Sequence, residues 1–159
     1  MAQTLWGSMP LHLAAGRNKV KMAKILLDNG AILDQIDALG TPLCYAVEGS
    51  HKQRLLYLIK KGANINLKNW NGISPLYCAI KEKKPEILQL LIINGANIYE
   101  KSKTGLSPLH EAILENSIQI IPILMEYGVS LCAKDEEGNS PLELALKTRN
   151  IFALKTICN

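Results

Sequence analysis

A Pro-Leu dipeptide returns five times along the chain: Pro10-Leu11, Pro42-Leu43, Pro75-Leu76, Pro108-Leu109 and Pro141-Leu142. The steps are 32, 33, 33 and 33 residues. A fixed period of this length constrains the fold more than any local propensity. A unit that small cannot enclose a core, so it must bury its apolar side against similar neighbours. Each Pro is followed four positions later by Ala (Ala14, Ala46, Ala79, Ala112, Ala145). In the first four copies it is followed twenty positions later by Gly (Gly30, Gly62, Gly95, Gly128).

Every recurring residue has a mechanical reading. In Gly-x-Ser-Pro-Leu, as at Gly72–Leu76 and Gly105–Leu109, the Ser caps a helix. The Pro takes the first helical position, where its missing N–H costs nothing. The Ala residues fall where two helices approach closely. Apolar runs at 24–27, 56–59, 90–93 and 123–125 form the buried stripe of a second helix. The following Gly supplies a left-handed end. Next comes an extended segment such as 63–66, and then a turn such as Asn71-Gly72, a favourable dipeptide for a tight hairpin.

On these residues the chain resembles the ankyrin-repeat family over essentially its whole length. The family pattern Asp-x-x-Gly-x-Thr-Pro-Leu-His-x-Ala is matched by Gly7–Ala14 and Gly105–Ala112, and by Asp135–Ala145 with Glu143 in the His slot. The element Leu-Leu-x-x-Gly-Ala-x-x-Asn is best kept at Leu58–Asn66, where Ile59 replaces the second Leu. The expected fold is therefore an all-α solenoid of stacked helix-turn-helix repeats with β-hairpin loops. It forms one domain with copies at about 1–36, 37–68, 69–101, 102–134 and 135–159.

Several departures carry structural expectations. The second copy is one residue short between Gly40 and Pro42, which should tighten its hairpin. The family often has Gly eight residues after the Pro, where Asn18, Ser50, Lys83, Asn116 and Arg149 stand here. Arg54 occupies an otherwise apolar helix position, and Pro122 should remove a hydrogen bond early in the fourth copy's second helix. Lys147, Arg149 and Lys155 suit a terminal cap whose outer face meets water.

The chemistry needed for catalysis is missing from the sequence, so the chain is read as a non-enzyme without a cofactor. Glu111, Glu115 and Glu143 are scattered rather than paired, and no Gly-rich phosphate loop, nucleophile elbow or metal triplet occurs. The resemblance implies that His12 and His110 bond backbone between repeats, and His51 also reads as structural. Cys44, Cys78, Cys132 and Cys158 lack paired spacing, which points to reduced thiols. With neither a signal-peptide pattern nor a long apolar run, a soluble cytoplasmic or nuclear protein is expected.

Function is therefore expected at a surface. The resemblance places partner contacts on the hairpin tips and the first-helix face. Carried over by position, these are Ala38, Leu39, Trp70, Asn71 and Lys103 at the tips, and Ile73 and Leu106 beside them. Arg17, Lys81, Glu82, Leu114 and Glu115 lie at the far ends of the first helices. Trp70 leads, because a Trp at a turn has no core to enter and exposed Trp is enriched among binding hot spots. The alternative is that its ring folds back on a neighbouring hairpin. Trp6 reads as a cover for the first repeat. Charge is uneven, at +1 over residues 1–40, +6 over 41–104 and −3 over 105–159.

The expected activity is thus a scaffold, adaptor or inhibitor that binds another protein, is monomeric by itself and does not enter membranes. One alternative is an acidic partner or nucleic acid on the Lys-rich middle, although Glu82, Glu86 and Glu100 interrupt it and no base-stacking platform is evident. Another is a secreted effector of an intracellular pathogen. The resemblance also marks Asn66, with Leu58 eight residues upstream, as a candidate for asparaginyl hydroxylation.

Overall fold

Residues 10–17, 20–37 and 39–158 are described by the computed structural model. The readings of Trp6, Asn18 and Ala38 lie outside these residues. Among the described residues the chain forms ten helices in five successive pairs. These are α1 (Pro10–Gly16) with α2 (Val20–Asp28), α3 (Pro42–Glu48) with α4 (Lys52–Lys60), α5 (Pro75–Lys81) with α6 (Pro85–Ile93), α7 (Pro108–Leu114) with α8 (Ile120–Glu126), and α9 (Pro141–Lys147) with α10 (Ile151–Cys158).

The first helices start where the sequence predicts. Thr41, Ser74, Ser107 and Ser140 each accept a hydrogen bond from the backbone N–H three residues on, and Pro takes the first helical position. At seven residues these helices are too short to persist alone, so packing must hold them. Each first helix contacts the next, α1 to α3 to α5 to α7 to α9, and behind them α6 contacts α8 and α8 contacts α10. The Ala residues four after each Pro are buried at these crossings. Leu43, Leu76 and Leu109 are also enclosed, and each such burial is worth about 2 kcal/mol. One apolar cluster runs along the stack from Ala15 to α10, and a smaller one lies beneath α1 and α2.

The loops between repeats are hairpin-shaped, but no strand forms among the described residues. Each loop closes on one outer backbone bond: Asn69 N–H to Ile73 O, Ser102 N–H to Leu106 O, and Asp135 N–H to Asn139 O. In the second copy Asp37 N–H reaches Gly40 O, one residue sooner, which is the tightening its missing residue calls for. Gly72 shows why glycine sits at the tips. Its φ is +74°, and an added Cβ would lie 2.8 Å from Lys103 Cγ and 3.3 Å from Lys103 N.

Ser50, Lys83, Asn116 and Arg149 adopt φ of 53°, 53°, 50° and 53°. The family's glycine conformation is thus retained without glycine, at a cost of about 1 kcal/mol or more for a residue with a Cβ. Pro122 has no N–H to give to the carbonyl of Ile118, and α8 accordingly begins at Ile120 and has seven residues where α4 and α6 have nine. The outer face of α9 departs from the expected polar cap. Leu142 and Leu146, which stand where α7 has the buried Leu109 and Ile113, are 36% and 59% exposed. The stacking residues therefore recur in the fifth copy alongside its basic ones.

Candidate functional site

The hairpin edge is built by side chains that fold back on their own loop and then reach the next. Asn69 Oδ1 accepts from Asn71 N–H (3.0 Å) and Ile73 N–H (2.9 Å), while its Nδ2 donates to Leu39 O at 3.0 Å. Lys68 Nζ donates to Lys101 O (2.7 Å), Lys101 Nζ to Lys134 O (2.6 Å), and Lys103 Nζ to Trp70 O. Leu39, Trp70, Asn71 and Lys103 are thereby gathered into one row. Trp70 is 68% exposed and Leu39 58%, so Trp70 is not buried against a neighbouring hairpin. Ile73 and Leu106 are half-buried, and Ile73 packs against the core.

Arg17, Lys81, Glu82 and Leu114 are exposed and Glu115 half-buried at the far ends of the first helices. Lys81 is tethered there, its Nζ 3.4 Å from the buried Glu111. The carbonyls that end the first helices are capped from the following repeat. Arg54 Nη1 donates to Ala14 O (3.1 Å) and to Ala15 O, Ser117 Oγ to Ile80 O (3.1 Å), and Asn150 Nδ2 to Ile113 O (3.1 Å). Sequence reading marked Arg54 only as misplaced; its partners are carbonyls about forty residues upstream.

The titratable groups are absorbed by the stack. His110 Nε2 lies 3.0 Å from Asn139 O, and its Nδ1 accepts from Ser107 N–H at 3.2 Å. These partners require the neutral ring, and burial holds its pKa below the ordinary value. Tyr77, one repeat earlier in the same slot, donates to Leu106 O at 2.5 Å, and burial beside Glu100 raises its pKa. His12 Nε2 lies 2.8 Å from Gln35 O, so the slot bonds backbone of the next loop in all three cases. Cys44 and Cys78 are buried and free. A hydrogen bond to Cys44, added to burial, pushes the Cys78 thiol up and keeps it protonated.

Glu100, which in the sequence only interrupts the Lys-rich middle, is buried between Lys68 Nζ (3.3 Å) and the Ser74 hydroxyl. The lysine staples were legible in principle, because Lys68, Lys101 and Lys134 stand one repeat apart. Asn66 bridges repeats too: Nδ2 donates to Gly95 O (3.1 Å), and Oδ1 accepts from Asn97 N–H (2.8 Å). Among the described residues no group of three or more His, Cys, Asp and Glu could hold a metal ion, and no helix is long and apolar enough to cross a membrane.

Comparison with known proteins places these features in context. The family described as ankyrin repeats in three copies matches residues 1–69 and 76–159. The chain is 38% identical over 74 residues to human transient receptor potential cation channel subfamily A member 1, covering 45% of this chain and 7% of that protein. It is 39% identical over 71 residues to mouse ankyrin repeat and SOCS box protein 11, covering 45% and 22%. It is 32% identical over 71 residues to human palmitoyltransferase ZDHHC13, covering 43% and 11%. The chain thus spans less than a quarter of the length of each of these relatives.

Proposed function

The chain belongs to the ankyrin-repeat family, and we propose that it is a non-catalytic binding module that holds another protein against its hairpin edge. Ankyrin repeats generally mediate protein–protein interaction, and the family is typically a non-catalytic interaction fold. The observation that carries the reading is Trp70, an exposed ring on a braced loop beside exposed Leu39. A large side chain held on a rigid base loses little freedom on binding, so its burial goes largely into affinity. Lys103 and Asn71 supply polar contacts at the rim, with Arg17, Lys81, Glu82, Leu114 and Glu115 at the far ends of the first helices.

The Lys-rich middle supports this reading over nucleic-acid binding. Lys68, Lys101 and Lys103 spend their ammonium groups on neighbouring carbonyls, Lys52 pairs with Glu86 and Lys81 with Glu111, and Arg54 is buried. Of the ten basic residues at 41–104, only Lys60, Lys61, Lys83 and Lys84 lie outside these contacts, few for a row of phosphates. Affinity capture from cells of the source organism, comparing the native chain, Trp70→Ala and Ile93→Ala, tests the proposal. Ile93 is as exposed as Trp70 but ends α6. Trp70→Ala should lose the captured partner and Ile93→Ala should keep it; equal recovery by both would end the reading.

Asn66 stays as a proposed hydroxylation site. Its amide is exposed but doubly bonded, so modification would need the loop to open. Absence of an added oxygen by intact mass after co-expression with the hydroxylase would exclude it.

A further inference from the structure

Three open clefts follow one another along the edge where each helix pair turns, one between each two consecutive repeats from the second to the fifth. They measure about 230, 250 and 450 Å³. The left-handed residues Ser50, Lys83, Asn116 and Arg149 line them in register. The widest cleft, between the fourth and fifth repeats, has apolar walls that include Leu114, Ile118, Ile151 and Phe152, all exposed.

The charges on these walls are one-sided. Lys52, Lys83, Lys84 and Arg149 line the clefts against a single carboxylate, Glu86, which Lys52 already holds. Lys83, Lys84 and Arg149 form no ion pair among the described residues. Unlike Lys68, Lys101 and Lys103, they are not tethered to a hairpin carbonyl. Packed helices lie about 8–10 Å apart, so an extended chain rising about 3.3 Å per residue meets a new cleft roughly every third residue.

We propose that this edge binds an extended acidic peptide segment of a partner protein. A large apolar side chain enters the cleft between the fourth and fifth repeats. One carboxylate meets Arg149, and others meet Lys83 and Lys84 about six residues along the segment. The inference rests on the reading of the chain as a protein-binding module; it shares Leu114 with that face but excludes Trp70, so a Trp70 substitution tells failure of one from failure of the other.

The test is fluorescence anisotropy with a set of labelled acidic peptides. Each peptide carries one Leu, Met or Phe at a varied position. Matched sets replace every acid by Lys, or the apolar residue by Ala. The acidic–apolar set should contain members that bind about tenfold or more tighter than either control set, a difference of about 1.4 kcal/mol. That preference should vanish in Lys83→Gln/Arg149→Gln and weaken in Phe152→Ala, with circular dichroism showing both variants folded, and Trp70→Ala should leave it unchanged. No preference over the lysine set, or a preference that survives the double substitution, would overturn the proposal.

Discussion

Along the hairpin edge, adjacent loops touch through backbone and are stapled by Lys68, Lys101 and Lys103 at intervals of one repeat. Along the turn edge, adjacent repeats are joined at a deeper level, where Arg54, Ser117 and Asn150 cap carbonyls of the first helix of the preceding repeat, and the turns themselves stand apart with clefts between them. The same repeat thus makes one continuous edge and one notched edge. A continuous edge can hold a single large side chain such as Trp70 in place. A notched one can accept side chains from an extended segment.

The largest effect expected from testing this contrast lies at the turn edge. Arg54 is wholly buried, and its guanidinium bonds two helix-ending carbonyls. Arg54→Ala removes both bonds and opens a cavity, which should cost about 3 kcal/mol in urea unfolding. Arg54→Ile, which installs the apolar residue that Ile87 and Ile120 place in the next two copies, should cost less than half of that. Equal losses would show that carbonyl capping, and not the apolar filling that Ile restores, is what matters there.

At the hairpin edge the comparable test is Tyr77→Phe, which removes one of the two donors to the Leu106 carbonyl and leaves it the Ser102 N–H. A loss of about 1 kcal/mol is expected in the same assay. If Tyr77→Phe proved costlier than Arg54→Ala, the ranking of the two edges would be reversed.

Next in size is a gain. Lys83→Gly relieves a side chain at φ 53° and should stabilise by about 0.5–1 kcal/mol. Asn116→Gly at φ 50° should gain less, because Asn tolerates this conformation better. Thermal midpoints of the two variants check the order.

The smallest effect is a slope with pH. The buried neutral ring of His110 has its pKa lowered, so the unfolded chain binds its proton more readily than the folded one. The stability this provides is complete above the ordinary histidine pKa of about 6.5 and declines as pH falls through it. His110→Gln should flatten that decline between pH 7 and 5 in urea titrations.

Much of this fold was legible in the chain because the repeat makes each residue's job recur. Pro, Ser and Gly at fixed offsets gave the helix starts and ends, and the buried Ala residues gave the crossings. The hairpin loops were legible in position but form no strands, since Asn69 and its counterparts satisfy the loop donors that a ladder would otherwise use. Trp70 was readable as a surface residue because a turn offers nothing to cover it. The clefts were not readable, because they depend on the gap between turns 33 residues apart. Their signal was present all the same, in the four non-glycine residues at the left-handed position.

The exposure of Trp70 is the point on which the binding face depends most directly. In a Trp6→Phe background its fluorescence reports that single ring. Emission centred where indole emits in water, with acrylamide quenching close to that of free indole, is the predicted result. Blue-shifted emission shielded from acrylamide would contradict it, since the ring would then be packed on its neighbours and the hairpin edge would offer no free anchor.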